Sequence, residues 1–311
     1  MTPTVVGVGL ACLDVLIRLG DMPTWETGGR ISAFRFDGGG PVGTGMVAVQ
    51  KLGVNAGYVG TAGNDRVADL KMSFLTEYEV DVSRVVRRDA PEGQVVIVYV
   101  DEETGERTFA GLRSLGAGML APEELDRDYI LAADYLHLDG FHYEAAVQAA
   151  RWMQEAGKTV VFDGGKTSAE SLPPQMVDAI GLIDVLICGE GFAQALSGVQ
   201  DPYEAGEAIL DMGPRIVVQT LGAEGSVTVT RDERFHTPAF AVDVIDTTGA
   251  GDVFHGAYIV GLHHGWALAQ VAQFATAVSA IKCTGLGGRG PIPSYDQVIA
   301  FLAERGIHLE G

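Results

Sequence analysis

Six short apolar runs punctuate the chain: Val5–Val8, Ala56–Gly60, Tyr135–Leu138, Thr159–Phe162, Val185–Cys188 and Ile216–Gln219. They are continuously hydrophobic rather than alternating, which suits strands covered on both faces, as in a parallel sheet. Amphipathic stretches with helical spacing separate them: Val42–Leu52, Val67–Tyr78, Glu144–Ala156, Gln175–Ile180, Phe192–Leu196 and Tyr203–Met212. Strand and helix in alternation predict a doubly wound, mostly parallel α/β sheet with helices on both faces. No repeat and no long linker divides the 311 residues, so 1–311 reads as one domain.

Two stretches break that rhythm. Val15–Phe36 follows the first run without a crossover helix, and Arg30–Phe36 alternates like a half-exposed strand. Gln94–Asp101 and Arg107–Ala110 flank Glu102-Glu103-Thr104-Gly105, which reads as a hairpin turn. These insertions, at about 15–37 and 90–112, predict a small β-sheet lid. Further on, Ser226–Thr230 and Arg234–His236 read as a meander, followed by two long helices over Gly249–His264 and Ala267–Lys282.

Charge narrows the partners. With 21 Lys+Arg against 41 Asp+Glu, the net charge is −20. This excludes a nucleic acid or an anionic membrane surface, both of which demand a basic footprint. No apolar run reaches the ~18 residues of a membrane span. Cys12, Cys188 and Cys283 are far apart with no CxxC, which suggests neither zinc nor disulfides. The N-terminal stretch has no basic n-region or cleavage site, so a cytoplasmic setting is expected. Glycine is the outlier: 42 residues, about twice the usual ~7%. They cluster in short motifs where backbone can approach a ligand.

The strongest motif is Asp246-Thr247-Thr248-Gly249-Ala250-Gly251-Asp252, running into an apolar helix. The first amides of a helix have no internal partner and carry the positive end of its dipole. Gly249, Ala250 and Gly251 have almost no side-chain bulk, so an oxyanion can reach those amides. A carboxylate beside such a cradle suits a general base, taking a proton from an attacking hydroxyl. Helix capping alone would also favour an acidic residue there.

The whole run Asp246–Ala257 resembles the second signature of the ribokinase-like (PfkB-type) carbohydrate kinase family. The resemblance extends to Gly9–Asp14, the Gly38-Gly39-Gly40-Pro41 loop, Gly60–Asp65, Thr220–Gly225 and Gly287–Pro293. It implies ATP-dependent phosphorylation of a hydroxyl on a sugar or nucleoside, beneath a β-lid. By the resemblance, Asp252 is the base and Gly249, Ala250 and Gly251 form the anion hole. Asp14, Gly39 and Gly40 would contact the sugar, and Thr44 would stand in for an Asn that many members carry. Thr220, Gly222 and Gly225 would lie along ATP, and Ala275, Ala277, Val278 and Cys283 would line an adenine slot. Helix–helix core is an equal reading for those last four.

The family's Asn-x-x-Glu motif is reduced here to Gly189-Glu190-Gly191-Phe192. Glu190, with Asp163 at a neighbouring strand end, is therefore the candidate for Mg2+, and Lys166 for an ATP phosphate. Asp246, Thr248 and Gly288 are the candidates for a monovalent cation such as K+. Arg30 and Arg113 could reach an acidic substrate from the lid, or simply be solvated. His137, His142 and His255 read as core residues. Phe34, Phe36, Tyr99 and Phe109 could stack on a nucleoside base, or be ordinary sheet residues. The GGGP loop and the KCTGLGGRGPIP tail look most like the sulfofructose kinase and ketohexokinase side of the family. A nucleoside kinase of the same fold and a non-catalytic sugar-binding relative are the alternatives, and pairing of lid faces into a homodimer is expected from the resemblance.

Overall fold

The computed structural model describes residues 2–104, 107–112 and 118–309. The chain opens with β1 (Val5–Val8), β2 (Cys12–Leu19), β3 (Ile31–Gly39), α1 (Pro41–Lys51), β4 (Ala56–Val59), β5 (Thr61–Ala62), α2 (Arg66–Thr76) and β6 (Val86–Arg87). Next come β7 (Val95–Asp101), β8 (Arg107–Gly111), α3 (Arg127–Ala132), β9 (Tyr135–Leu138), α4 (Tyr143–Glu155), β10 (Thr159–Asp163), α5 (Pro174–Ile180) and β11 (Val185–Cys188). It ends with α6 (Phe192–Ser197), α7 (Pro202–Leu210), β12 (Ile216–Thr220), β13 (Ser226–Val229), β14 (Arg234–Thr237), α8 (Ala250–His263), α9 (Leu268–Cys283) and α10 (Tyr295–Ala303). The short pair β5–β6 and the helices α3 and α10 were not foreseen from periodicity.

All six apolar runs become strands of one eight-stranded sheet of order β14-β13-β12-β11-β10-β9-β1-β4. Pairing is parallel from β4 to β12, and only the β13 and β14 edge is antiparallel. Continuous hydrophobicity is explained by two cores. Val5, Val161, Val185, Ile187 and Val218 face one helical layer, while Val6, Val8, Leu136, Phe162, Leu186 and Val217 face the other. No helix among the described residues is long and apolar enough to cross a membrane.

Topology places the site. β1 pairs with β4 on one side and β9 on the other. The chain therefore leaves β1 in one direction and later returns to its opposite side. Such a reversal opens a crevice beyond the carboxyl ends of the strands. Above that crevice lies a second sheet of order β3-β2-β7-β8. In its register Asp14 lies beside Asp37 and Val96, and Val98 beside Phe109. Strand alternation turns these residues and Arg107 toward the crevice, and Val15, Ile17, Phe34, Phe36, Ile97 and Tyr99 away from it.

A buried ion pair anchors the lid. Lys71 of α2 lies 2.7 Å from Glu92, both side chains fully buried. Its ammonium also donates to the Thr61 carbonyl at 3.0 Å and to Gln94 Oε1 at 2.9 Å, just before β7. Removing one member leaves the other charge buried and unpaired, which costs about 3–5 kcal/mol. Glu92→Gln and Lys71→Met should each lower stability by that order in chemical denaturation. The double variant should recover much of the loss; equal losses in all three would show that the pair is not the source.

Candidate active site

The segment Asp246–Asp252 carries the site because of how α8 begins. Its N-cap, Gly249, adopts φ 73°, and no side chain caps the helix. That left-handed conformation favours glycine. The Ala250 amide bonds back to the Thr247 carbonyl and that of Val253 to Gly249. Among the described residues the amides of Gly251 and Asp252 have no partner. A Cβ placed on Gly251 would meet nothing within 4 Å, so the approach to those amides is open. Two free donors at a helix N-terminus form an anion cradle.

Asp252 stands beside them, half-buried. Burial is the main cause that raises its carboxyl group to about 7, the Asp163 and Asp14 charges add to the rise, and His255 and Arg289 oppose it. A base poised near neutrality is suited to proton transfer. Asp163, at the end of β10, accepts from the Gly165 amide at 2.7 Å and lies 3.4 Å from His255 Nε2. His255 sits on α8 one turn after Asp252, with Nδ1 2.7 Å from the Gly251 carbonyl. His137 stacks on it at 5.7 Å, and burial lowers the His137 imidazole to about 3. All three expected core histidines are buried.

A crevice of about 350 Å³ joins these residues to the lid. Asp252, Gly249 and Thr248 line it from the helix side; Gly39, Gly40 and Thr44 from α1 and the loop before it; and Asp14, Val96, Arg107 and Phe109 from the lid. Asp14 belongs to the root of lid strand β2, not to the turn after β1. Burial raises its carboxyl group to about 6 against the opposing hydrogen bond from Cys12 and the charge of Arg289.

Arg289 was not foreseen and explains much of the loop. It is fully buried. Its Nη2 donates to the Gly39 carbonyl at 2.6 Å, Nη1 to the Phe74 carbonyl at 3.0 Å and Nε to Thr44 Oγ1 at 3.4 Å. A Cβ on Gly38 would come within 2.2 Å of Arg289 Nη1, and one on Gly39 within 2.2 Å of Asp14 Oδ2. These glycines make room for a buried guanidinium and a carboxylate, rather than only for a ligand. Thr44, which also lines the crevice, accepts from Arg289 through its hydroxyl. Asp37 ties the loop to the tail, accepting from the Gly38 amide at 2.8 Å and the Gly288 amide at 2.9 Å.

A strand-end crevice with open amides at a helix start, a carboxyl group of raised pKa and a β-sheet above it occurs here in a chain whose residues 3–294 match the model of the pfkB family of carbohydrate kinases. The chain belongs to that family. This kinase is 31% identical over 301 residues to an ATP-dependent ribose-1-phosphate kinase of Halopiger xanaduensis, covering 97% of this chain and 98% of that one. It is 29% identical to an aminoimidazole riboside kinase of Salmonella typhimurium, covering 84% and 86%. Its fold matches a Thermotoga maritima ribokinase with a TM-score of 0.84 at 27% identity, over 97% and 99% of the two chains. Phosphoryl transfer from ATP to a hydroxyl of a sugar or sugar derivative is therefore its activity.

Other expected site residues separate from the crevice. Arg30 lies just before β3, seven residues from Asp37, at the lid's far end; strand rise puts it roughly 20 Å away. Arg113 lies outside the described residues. Ala275, Ala277 and Val278, expected either in an adenine slot or in helix–helix core, are fully buried among core residues, with α9 packed on α8. Cys283 is buried, and its carbonyl accepts the Ile245 and Asp246 amides. Thr220 ends β12, half-buried, with its hydroxyl on the Cys188 carbonyl at 3.3 Å. Gly222 is open, whereas a Cβ on Gly225 would meet the Thr237 carbonyl at 2.0 Å, so Gly225 permits close backbone packing. Lys166 and Glu190 form an exposed ion pair of 2.5 Å beyond β10 and β11.

Asp246, Thr248 and Gly288, expected around a monovalent cation, lie together in one hydrogen-bonded cluster. Asp246 Oδ1 accepts from the Thr248 amide and hydroxyl and from Arg107, at 2.8, 2.7 and 3.1 Å, and Oδ2 from the Gly287 amide at 2.9 Å. Its carbonyl accepts from Lys282 Nζ at 2.8 Å. The chain's own donors thus engage both carboxylate oxygens and the carbonyl of Asp246. Arg107 had a sequence signal: period-two alternation on β8 places it on the same face as Phe109.

Asp252→Asn should lower kcat by about 10²–10⁴-fold with ATP affinity kept, because only the proton acceptor is lost. In the parent enzyme kcat/KM should rise with pH through about 7, as the carboxyl group ionises, and then level off. A flat profile between pH 5.5 and 8.5 would reject Asp252 as the base.

Proposed function

We propose that Asp252 takes the proton from one sugar hydroxyl while the amides opening α8 hold the travelling phosphoryl group, with Asp14 gripping a second hydroxyl. The observation that carries this reading is that Asp252, with its carboxyl group raised to about 7, lines the crevice in the first turn of α8, where the amides of Gly251 and Asp252 have no partner among the described residues. The reacting hydroxyl then meets base and cradle from one side, so deprotonation and attack are concerted with charge stabilisation. Residues 1–311 would act as one unit, with the lid sheet closing over the sugar to exclude water.

ATP is the phosphoryl donor, its phosphates running from the α8 cradle toward Thr220 and Gly222. Oxygen donors there fit Mg2+: Glu190 is exposed, and Asp163 ends the neighbouring strand. Mg2+ supplies neutralisation of the β- and γ-oxygens. Glu190 would exchange its bond to Lys166 for the metal's water shell, freeing Lys166 for a phosphate. The three free, buried cysteines accord with a reducing, cytoplasmic setting.

The acceptor is a monosaccharide-sized polyol in this reading. Of the four aromatic residues considered for stacking, only Phe109 lines the crevice among the described residues. That observation, with the riboside kinase relative, keeps a nucleoside acceptor as the second reading. Turnover with Mg-ATP against pentoses, ketohexoses, sugar phosphates and nucleosides tests both. Asp14→Ala should raise the sugar KM by roughly 10–100-fold, the worth of a hydrogen bond to a charged group. Tight sugar binding with no turnover of any acceptor would favour a non-catalytic binder.

The lid's outer face supports a homodimer. Phe34 and Phe36 are 52% and 40% exposed, edge-on at 4.9 Å, and flanked by Ile17 and Val15. An apolar face on an open sheet invites a second copy. Sedimentation should give a dimer that Phe34→Asp converts to monomer; a monomeric parent would overturn the pairing.

A further inference from the structure

The turn that presents the anion cradle is held by two cations belonging to the chain itself. Lys282, on the last turn of α9, is fully buried, and its ammonium donates to the Asp246 carbonyl at 2.8 Å. Arg107 reaches down from the lid: one nitrogen lies 3.1 Å from Asp246 Oδ1 and also bonds Thr248 Oγ1, while Nη2 donates to Thr247 Oγ1 at 2.6 Å. The carboxylate and carbonyl oxygens of Asp246 are the hard donors that a free monovalent ion would need. They are already engaged, and a K+ ion bound to them would lie beside an ammonium in a low-dielectric interior, where like charges repel most strongly.

We propose that this kinase carries its activating cation covalently: Lys282 holds the Asp246–Gly249 turn in place of a monovalent metal ion, and Arg107 completes the arrangement when the lid is down. Both act as positioning residues through that turn. Lys282 does so constantly, since it comes from the core. Arg107 does so only while β8 lies over the crevice, which links the set of the cradle to lid position. The inference rests on the reading of Gly249–Gly251 as the phosphoryl cradle.

The test compares K+, Na+, NH4+ and tetramethylammonium chloride at one ionic strength. Three readouts are taken: kcat, the thermal midpoint of the free enzyme, and affinity for a non-hydrolysable ATP analogue. All three should be indifferent to the cation, with rate and affinity constant within about two-fold because screening is the same throughout. Selective activation by K+, or a K+-specific rise in midpoint or analogue affinity, overturns the proposal. Lys282→Met should lose about 10–100-fold in kcat, as supporting residues behind an active site do, and part of the loss should return with K+ or NH4+ but not with tetramethylammonium. Full activity of a folded Lys282→Met in tetramethylammonium would overturn it as well. If that variant fails to fold, Arg107→Met decides alongside the parent: lower kcat with little change in sugar KM is expected, and unchanged kcat counts against the proposal. Should the cradle reading itself fail, Asp252→Asn would remain active, while the melting and analogue measurements would still report whether a monovalent ion binds.

Discussion

Two backbone N–H groups without partners among the described residues, at Gly251 and Asp252, are the feature to which the rest of the site is fitted. Unpaired amides are costly inside a protein and useful where an anion arrives. Keeping them open requires a left-handed Gly249 as N-cap, a side-chain-free Gly251 and a turn that cannot collapse onto the helix. The Asp246 carboxylate supports that turn through Thr248, Gly287 and Arg107. Burial, with the charges of Asp163 and Asp14 adding to it, raises the Asp252 carboxyl group to about 7.

A −20 chain that concentrates carboxylates in one crevice needs internal cations, and it supplies three from distant segments. Arg289 lies buried between the Gly38–Gly39 loop, Phe74 and Thr44. Lys282 bonds the Asp246 carbonyl from below and Arg107 its carboxylate from above. None is a surface solubility charge. Each offsets nearby acids; Arg289 and Lys282 also hold backbone carbonyls in place, and Arg107 holds the Thr247 and Thr248 hydroxyls, so the apolar helical layers and the polar crevice are joined by a few charged contacts of high energetic stake.

Much of this was legible along the chain, for reasons that can be named. Continuous Val-rich runs such as Val185–Cys188 report burial on both faces, and both faces are covered. The Gly-Ala-Gly-Asp turn carries its own mechanism, because free amides at a helix start are a local property. Asp14 was legible at the sheet's carboxyl edge, and it lines the crevice, although its place on a lid strand was not foreseen. The long-range contacts were illegible. Arg289 reaches Gly39 across 250 residues and Arg107 reaches Asp246 across 139; alternation along β8 sets the face on which Arg107 stands, but no local pattern marks the distant partner of either. Ala275 and Val278 read equally as slot or core along the chain, and their burial came only with the packing of α9 on α8.

Local chemistry by itself determined the layered α/β plan, the inserted lid, and the cradle with its acid, since each follows from periodicity or from backbone groups adjacent in sequence. Only tertiary structure decided which strands flank β1, and hence where the crevice opens, which face of the lid looks into it, and which cations neutralise it. Those outcomes depend on loop closure over long separations and on the competition for buried space. There a carboxylate takes whichever cation the fold brings within about 3 Å, and nothing in the neighbouring residues announces which one that will be.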